Sequence, residues 1–66
     1  MVTREELAAF LQARGWYLDM VEKRGKGKLY AYAKRRVGEK VLTRYLIAES
    51  KLEELTEDRV ESRLYF

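Results

Sequence analysis

Leu29-Tyr30-Ala31-Tyr32-Ala33-Lys34-Arg35-Arg36-Val37-Gly38-Glu39-Lys40-Val41-Leu42-Thr43-Arg44-Tyr45-Leu46-Ile47-Ala48 is the stretch that decides the fold. Leu29, Ala31 and Ala33 alternate with Tyr30, Tyr32, Lys34 and Arg36, the period of a strand with one buried face. Val41 to Ala48 is a second run rich in β-branched and aromatic residues. Between them Gly38 suits a two-residue hairpin loop, where positive φ is needed. With Gly38-Glu39 as the loop, Val37 faces Lys40. Counting back pairs Lys34 with Thr43, Tyr32 with Tyr45, Ala31 with Leu46, Tyr30 with Ile47 and Leu29 with Ala48.

Upstream, Trp16, Leu18 and Met20 alternate with Tyr17, Asp19 and Val21, a further strand signal. Arg24-Gly25-Lys26-Gly27-Lys28 reads as the connecting turn. A Gly25-Lys26 loop pairs Met20 with Ala31 and Val21 with Tyr30. Both hairpins then sort side chains alike. One face carries Trp16, Leu18, Met20, Leu29, Ala31, Ala33, Leu46 and Ala48. The other carries Tyr17, Lys23, Lys28, Tyr30, Tyr32, Lys34, Arg36, Thr43 and Tyr45. A one-residue slip would exchange the faces and bury Lys28, Lys34 and Arg36, which is costly. On this register Arg35 and Arg44 fall on the packed side, at its rim.

Further outward, Thr3-Arg4-Glu5-Glu6 has the form of a capping box, and Leu7, Phe10, Leu11 and Arg14 recur at helical spacing. A helix is expected over about residues 4–14, closed by Gly15. Ser50-Lys51-Leu52-Glu53 offers a second capping box and Thr56-Glu57-Asp58 another start, with Leu52, Leu55, Val60 and Leu64 on one face. One helix or two are compatible with residues 51–65. The expectation is one α+β domain over residues 1–66: a three-stranded antiparallel meander with an N-terminal and a C-terminal helix on one face, in the order α-β-β-β-α.

The chain of 66 residues has no Cys and no His, so neither disulfides nor a zinc centre can staple its small core. The same absence removes the usual acid–base and nucleophilic groups, and no phosphate loop or metal-ligand cluster is present. The reading is of a non-enzyme without cofactor, metal or small-molecule substrate. No long apolar run is present, which gives an expectation of no membrane contact and a cytoplasmic, nucleoid-associated location. Asn is absent and Gln12 is the single Gln, while charged residues make up 38% of the chain. That composition fits a thermophile, although the lack of Pro does not.

The net charge of +3 is unevenly spread. Residues 14–48 carry ten Lys and Arg against three acids, giving +7, between a segment of −1 and one of −3. A basic sheet face bearing tyrosines has a definite chemical use. Its cations neutralise phosphates and release counterions, and its rings stack on bases or press on sugars. The candidate binding residues are therefore Tyr17, Lys23, Arg24, Lys26, Lys28, Tyr30, Tyr32, Lys34, Arg36, Thr43 and Tyr45. The commoner role of such a face is structural, through cross-strand pairing and protection of sheet edges. With so few amide side chains to read adenine, little base specificity is expected.

The runs Gly27-Lys28-Leu29-Tyr30-Ala31-Tyr32, Arg35 to Val41 and Arg44-Tyr45-Leu46 resemble small archaeal DNA-binding or chromatin-type proteins. They are also similar to the arm-type DNA-binding domain of tyrosine-recombinase integrases. The likeness covers about residues 15–48. It implies that Tyr30, Tyr32, Lys34, Arg36, Thr43 and Tyr45 face DNA. The capped helix before the sheet and the lack of a following catalytic domain depart from the integrase pattern. Duplex DNA is the favoured partner, with RNA or single-stranded DNA as an alternative. A protein-interaction or homodimeric module using the tyrosine face is the rival, opposed by the like charges it would bring together. Dimerisation through the helices would be compatible with either.

Overall fold

The computed structural model describes residues 3–23, 25 and 27–65. Helix α1 spans Arg4–Gln12, followed by strands β1 (Tyr17–Glu22), β2 (Leu29–Val37) and β3 (Lys40–Ala48), a 3₁₀ segment (Glu49–Glu54) and helix α2 (Glu57–Tyr65). The strands form one antiparallel sheet in the order β1-β2-β3, so the α-β-β-β-α arrangement expected from the sequence is the one observed.

Local chemistry explains the boundaries. The Thr3 hydroxyl oxygen accepts from the backbone N–H of Glu6 at 3.1 Å, capping α1. The Glu6 carboxylate accepts from the Thr3 hydroxyl, not from its backbone N–H as a capping box would have it. α1 ends two residues before the predicted Arg14, because the chain turns back on itself. The N–H groups of Arg14 and Trp16 both reach the Leu11 carbonyl at 2.9 Å, across Gly15 at φ +82°. At the other end the Ser50 capping box does not form. Residues 49–54 make a 3₁₀ segment without a side-chain cap, broken at Lys51. The second start is the real one: Thr56 Oγ1 accepts from the Arg59 N–H at 3.3 Å at the head of α2. Residues 51–65 are thus two elements, because Leu52 and Leu55 must both turn inward before α2 begins.

The first hairpin has the inferred register throughout, from Tyr17 opposite Lys34 to Glu22 opposite Leu29. The second follows it from Val37–Lys40 to Tyr32–Tyr45 and then slips. Ala31 pairs with Ile47 and Tyr30 with Ala48, leaving Leu46 as the extra residue of a β-bulge. The expected pairs Ala31–Leu46, Tyr30–Ile47 and Leu29–Ala48 are therefore wrong. Ile47 moves to the packed face and Ala48 to the open one. The physical gain is that two adjacent large apolar residues serve the core: Leu46 is buried and Ile47 packs against the same cluster. A regular strand would have sent one of them to solvent.

That core gathers Leu7, Phe10 and Leu11 of α1, Trp16 at the entry to β1, Ala31 and Ala33 of the central strand, Leu46 of β3, and Leu52, Leu55, Val60 and Leu64 of the C-terminal segment. Ala31 and Ala33 are fully buried, and their small side chains let the helical layer approach β2 closely. Two polar clamps fasten the helical layer. Arg4 pairs with Glu49. Arg14 bonds Glu61 at 3.0 Å and stacks 3.5 Å from the Phe10 ring centroid, joining α1 to α2. No helix among the described residues is long and apolar enough to cross a membrane.

Candidate nucleic-acid interface

Because the whole apolar cluster lies on the Ala31/Ala33 side, the opposite side of the sheet has no helix over it. Alternation along each strand places Tyr17, Asp19 and Val21, then Tyr30, Tyr32, Lys34 and Arg36, then Val41, Thr43, Tyr45 and Ala48 on that open side. The register brings three phenol rings together. Tyr45 meets Tyr32 edge-on, with centroids 5.5 Å apart and planes at 68°, and lies 6.3 Å from Tyr30. Such tilted contacts contribute about 0.5–1.5 kcal/mol beyond area burial.

Lys23, just past the end of β1, folds back over this group. Its ammonium sits 5.3 Å from the Tyr32 ring centroid and 5.6 Å from that of Tyr30. Its pKa is pushed up, first by a hydrogen bond with the Tyr32 side chain, with Tyr30 and Tyr45 adding and desolvation opposing. Lys34 is also raised, first by its hydrogen bond to Asp19, which it meets at 2.6 Å. Both lysines therefore stay charged through neutral pH. Their contribution to stability is complete below the ordinary lysine pKa and fades only as pH climbs past it.

The exposures rank the rings. Tyr17 is 50% and Tyr45 41% exposed, whereas Tyr30 and Tyr32 are half-buried beneath Lys23 and their neighbours. Tyr17 and Tyr45 are the available stacking platforms, and Tyr30 and Tyr32 are their support. Thr43 and Arg36 are exposed on the same side. The Arg36 guanidinium donates to the Gly38 carbonyl at 3.3 Å, which steers it toward the β2–β3 loop. Lys28 is exposed at the other end of the face, where Gly27, Lys28 and Tyr30 share a shallow cleft with Ala48, Glu49 and Ser50. Arg24 and Lys26 lie outside the described residues. Arg44 is half-buried opposite Ala33 and donates to the Thr43 carbonyl, while Arg35 is exposed with its guanidinium beside Gly15. Both are on the helix side of the sheet, as the pairing implies.

Two features go beyond what the sequence suggests. Asp19 stands within the basic face and occupies Lys34, so that lysine is only partly available to an anion. Strict alternation from Tyr17 would have revealed it, since Tyr17 faces Lys34 and Asp19 is its diagonal neighbour. The second is α2, whose acidic composition suggests a solvated outer surface: its Arg59 and Arg63 line a cleft that also contains Tyr45. Helical spacing puts these arginines on one side, but only the docking of α2 along β3 sets them near a tyrosine. Among the described residues no cluster of His, Cys, Asp or Glu could hold a metal ion.

No family model, curated protein or solved structure matches this chain.

Removing the Asp19 charge tests the electrostatics of the face. Asp19→Asn is expected to free Lys34 and tighten polyanion binding severalfold at about 50 mM salt, with the salt slope rising by up to about 0.9 for one added phosphate contact. Anisotropy titration of heparin or duplex DNA reads it. Unchanged binding would mean that Lys34 takes no part.

Proposed function

We propose that this protein is a non-enzymatic nucleic-acid-binding domain that holds duplex DNA against the open face of its sheet with little sequence preference, in an architectural or regulatory role. The observation that carries this reading is the bare side of the sheet, where exposed Tyr17 and Tyr45 stand among Lys23, Lys34 and Arg36 while all the helices pack opposite. With Lys28 included, four cations face one acid, Asp19, a balance of +3. Two helices' worth of apolar surface is already satisfied by the other side, so the open side is under no demand from the core. The likeness to small archaeal DNA-binding proteins and integrase arm domains points the same way.

The exposed rings also support a second reading, binding of single-stranded DNA or RNA, since each ring offers a π-face to an unpaired base. Both readings use the same cations for phosphate. A homodimer built on this face would set Lys23, Lys34 and Arg36 against their own copies, which opposes association.

Fluorescence anisotropy with labelled duplex, single-stranded DNA and RNA at about 50–200 mM salt decides among them. Micromolar binding is expected, with log K falling against log salt at a slope of at least about 2.7, from 0.9 for each of the unpaired cations Lys23, Lys28 and Arg36. A preference for single strands would select the second reading. Absence of binding to all three by the folded protein would reject both.

A further inference from the structure

β3 lies at one edge of the sheet, and α2 runs beside it. Between them is a cleft of about 440 Å³ with an apolar floor of Leu46, Ile47 and Leu55. Its walls are Tyr45 on the strand and Asp58, Arg59, Ser62 and Arg63 on the helix. Tyr45 belongs to this cleft and to the open face at once, so the two surfaces are continuous across the β3 edge.

Arg59 and Arg63 are four residues apart on α2, which stacks two like charges on adjacent turns, about 5–6 Å between Cβ atoms. Such a pair lowers helix stability unless an anion lies between or across the two. Among the described residues no carboxylate pairs with either guanidinium, whereas Arg4, Arg14 and Lys34 all have acidic partners. Asp58 in the same wall is the one acid that opposes an anion there.

We infer that this cleft is a second phosphate-binding subsite: a strand of the nucleic acid lying on the tyrosine face crosses β3 at Tyr45, and Arg59 and Arg63 take its phosphates. Two facts favour this occupant. The unpaired cations outnumber the single acid, and the cleft opens onto the face already assigned to a polyanion. Guanidinium forks suit phosphate oxygens and can bond them in pairs. The bulge at Leu46 interrupts the regular ladder at this edge, so an added peptide strand is a poor fit. The inference rests on the nucleic-acid reading and extends its footprint to a third element.

The test is anisotropy titration, at about 50–200 mM salt, of the intact protein with the strand form it binds best. Wild type should show a slope nearer 4.5 than 2.7, since two further contacts add about 1.8. R59Q/R63Q should return the slope to about 2.7 and weaken binding at about 0.1 M salt by more than tenfold, while D58N tightens it and K51Q, remote from the cleft, changes the slope by much less than one contact. R59K/R63K, which keeps the charges, should hold the wild-type slope, so a helix weakened by glutamine is distinguished from a lost contact. If R59Q/R63Q binds with the wild-type slope while removal of Lys23, Lys28 and Arg36 weakens binding, the subsite is refuted and the sheet-face reading stands. If wild type binds no nucleic acid, both fall together.

Discussion

Leu11→Ala is expected to leave the chain mostly unfolded, or close to it, at 25 °C. Leu11 is fully buried in α1, and its carbonyl also anchors the turn into β1 by accepting from Arg14 and Trp16. Truncating a buried leucine costs about 2.7–5 kcal/mol, since lost burial and a residual cavity add. A chain of 66 residues has a total stability of only about 3–10 kcal/mol at the usual 0.05–0.15 kcal/mol per residue. With no disulfide or metal to compensate, one methylene-rich side chain is a large share of the whole. Thermal unfolding followed by circular dichroism should show a drop in Tm of more than about 10 °C, at 4–8 °C per kcal/mol for a domain of this size. Gln12→Ala, exposed on the same helix, is the control and should stay within about 0.5 kcal/mol of wild type. A Leu11→Ala protein as stable as that control would mean that α1 does not dock on the sheet.

The largest functional effect is expected from K23Q/K28Q/R36Q. These are the cations on or beside the open face that no carboxylate occupies, unlike Lys34 with Asp19. Each phosphate contact contributes about 0.9 to the slope of log K against log salt, so three removed contacts lower it by about 2.7. Taking about 1 M salt as the point where such contacts vanish, affinity at about 0.1 M should fall by roughly 10²–10³-fold. Folding should be little affected, since the core lies on the other side. Only the stacking of Lys23 over Tyr30 and Tyr32 is lost, a weak contact at a site open to solvent. A folded triple variant with wild-type slope would remove the open face from the binding surface.

Much of this molecule is legible in its amino-acid sequence. The alternation from Tyr17 to Ala48, broken only at glycine turns, specifies the three strands and, up to Tyr45, the side each residue faces. That is because a strand's side-chain period is two and a two-residue loop fixes the register. Thr3 and Thr56 mark true helix starts, because an N-cap is a local bond between a hydroxyl oxygen and a backbone N–H a few residues on. The tyrosine-and-lysine character of the open face follows from the same arithmetic.

Other features depended on packing at a distance. The bulge at Leu46 arises because both Leu46 and Ile47 gain by entering the core, a competition that alternation cannot register. The 3₁₀ turn at 49–54 displaces the Ser50 cap because Leu52 and Leu55 are drawn under the sheet. The burial of Tyr30 and Tyr32 beneath Lys23, leaving Tyr17 and Tyr45 open, follows from ring contacts among three elements. The cleft uniting Tyr45 with Arg59 and Arg63 exists only once α2 lies along β3. Local hydrogen bonding and side-chain period are written residue by residue in the sequence. The choice among competing burials, and the meeting of residues far apart in the chain, is settled only by the free energy of the assembled core.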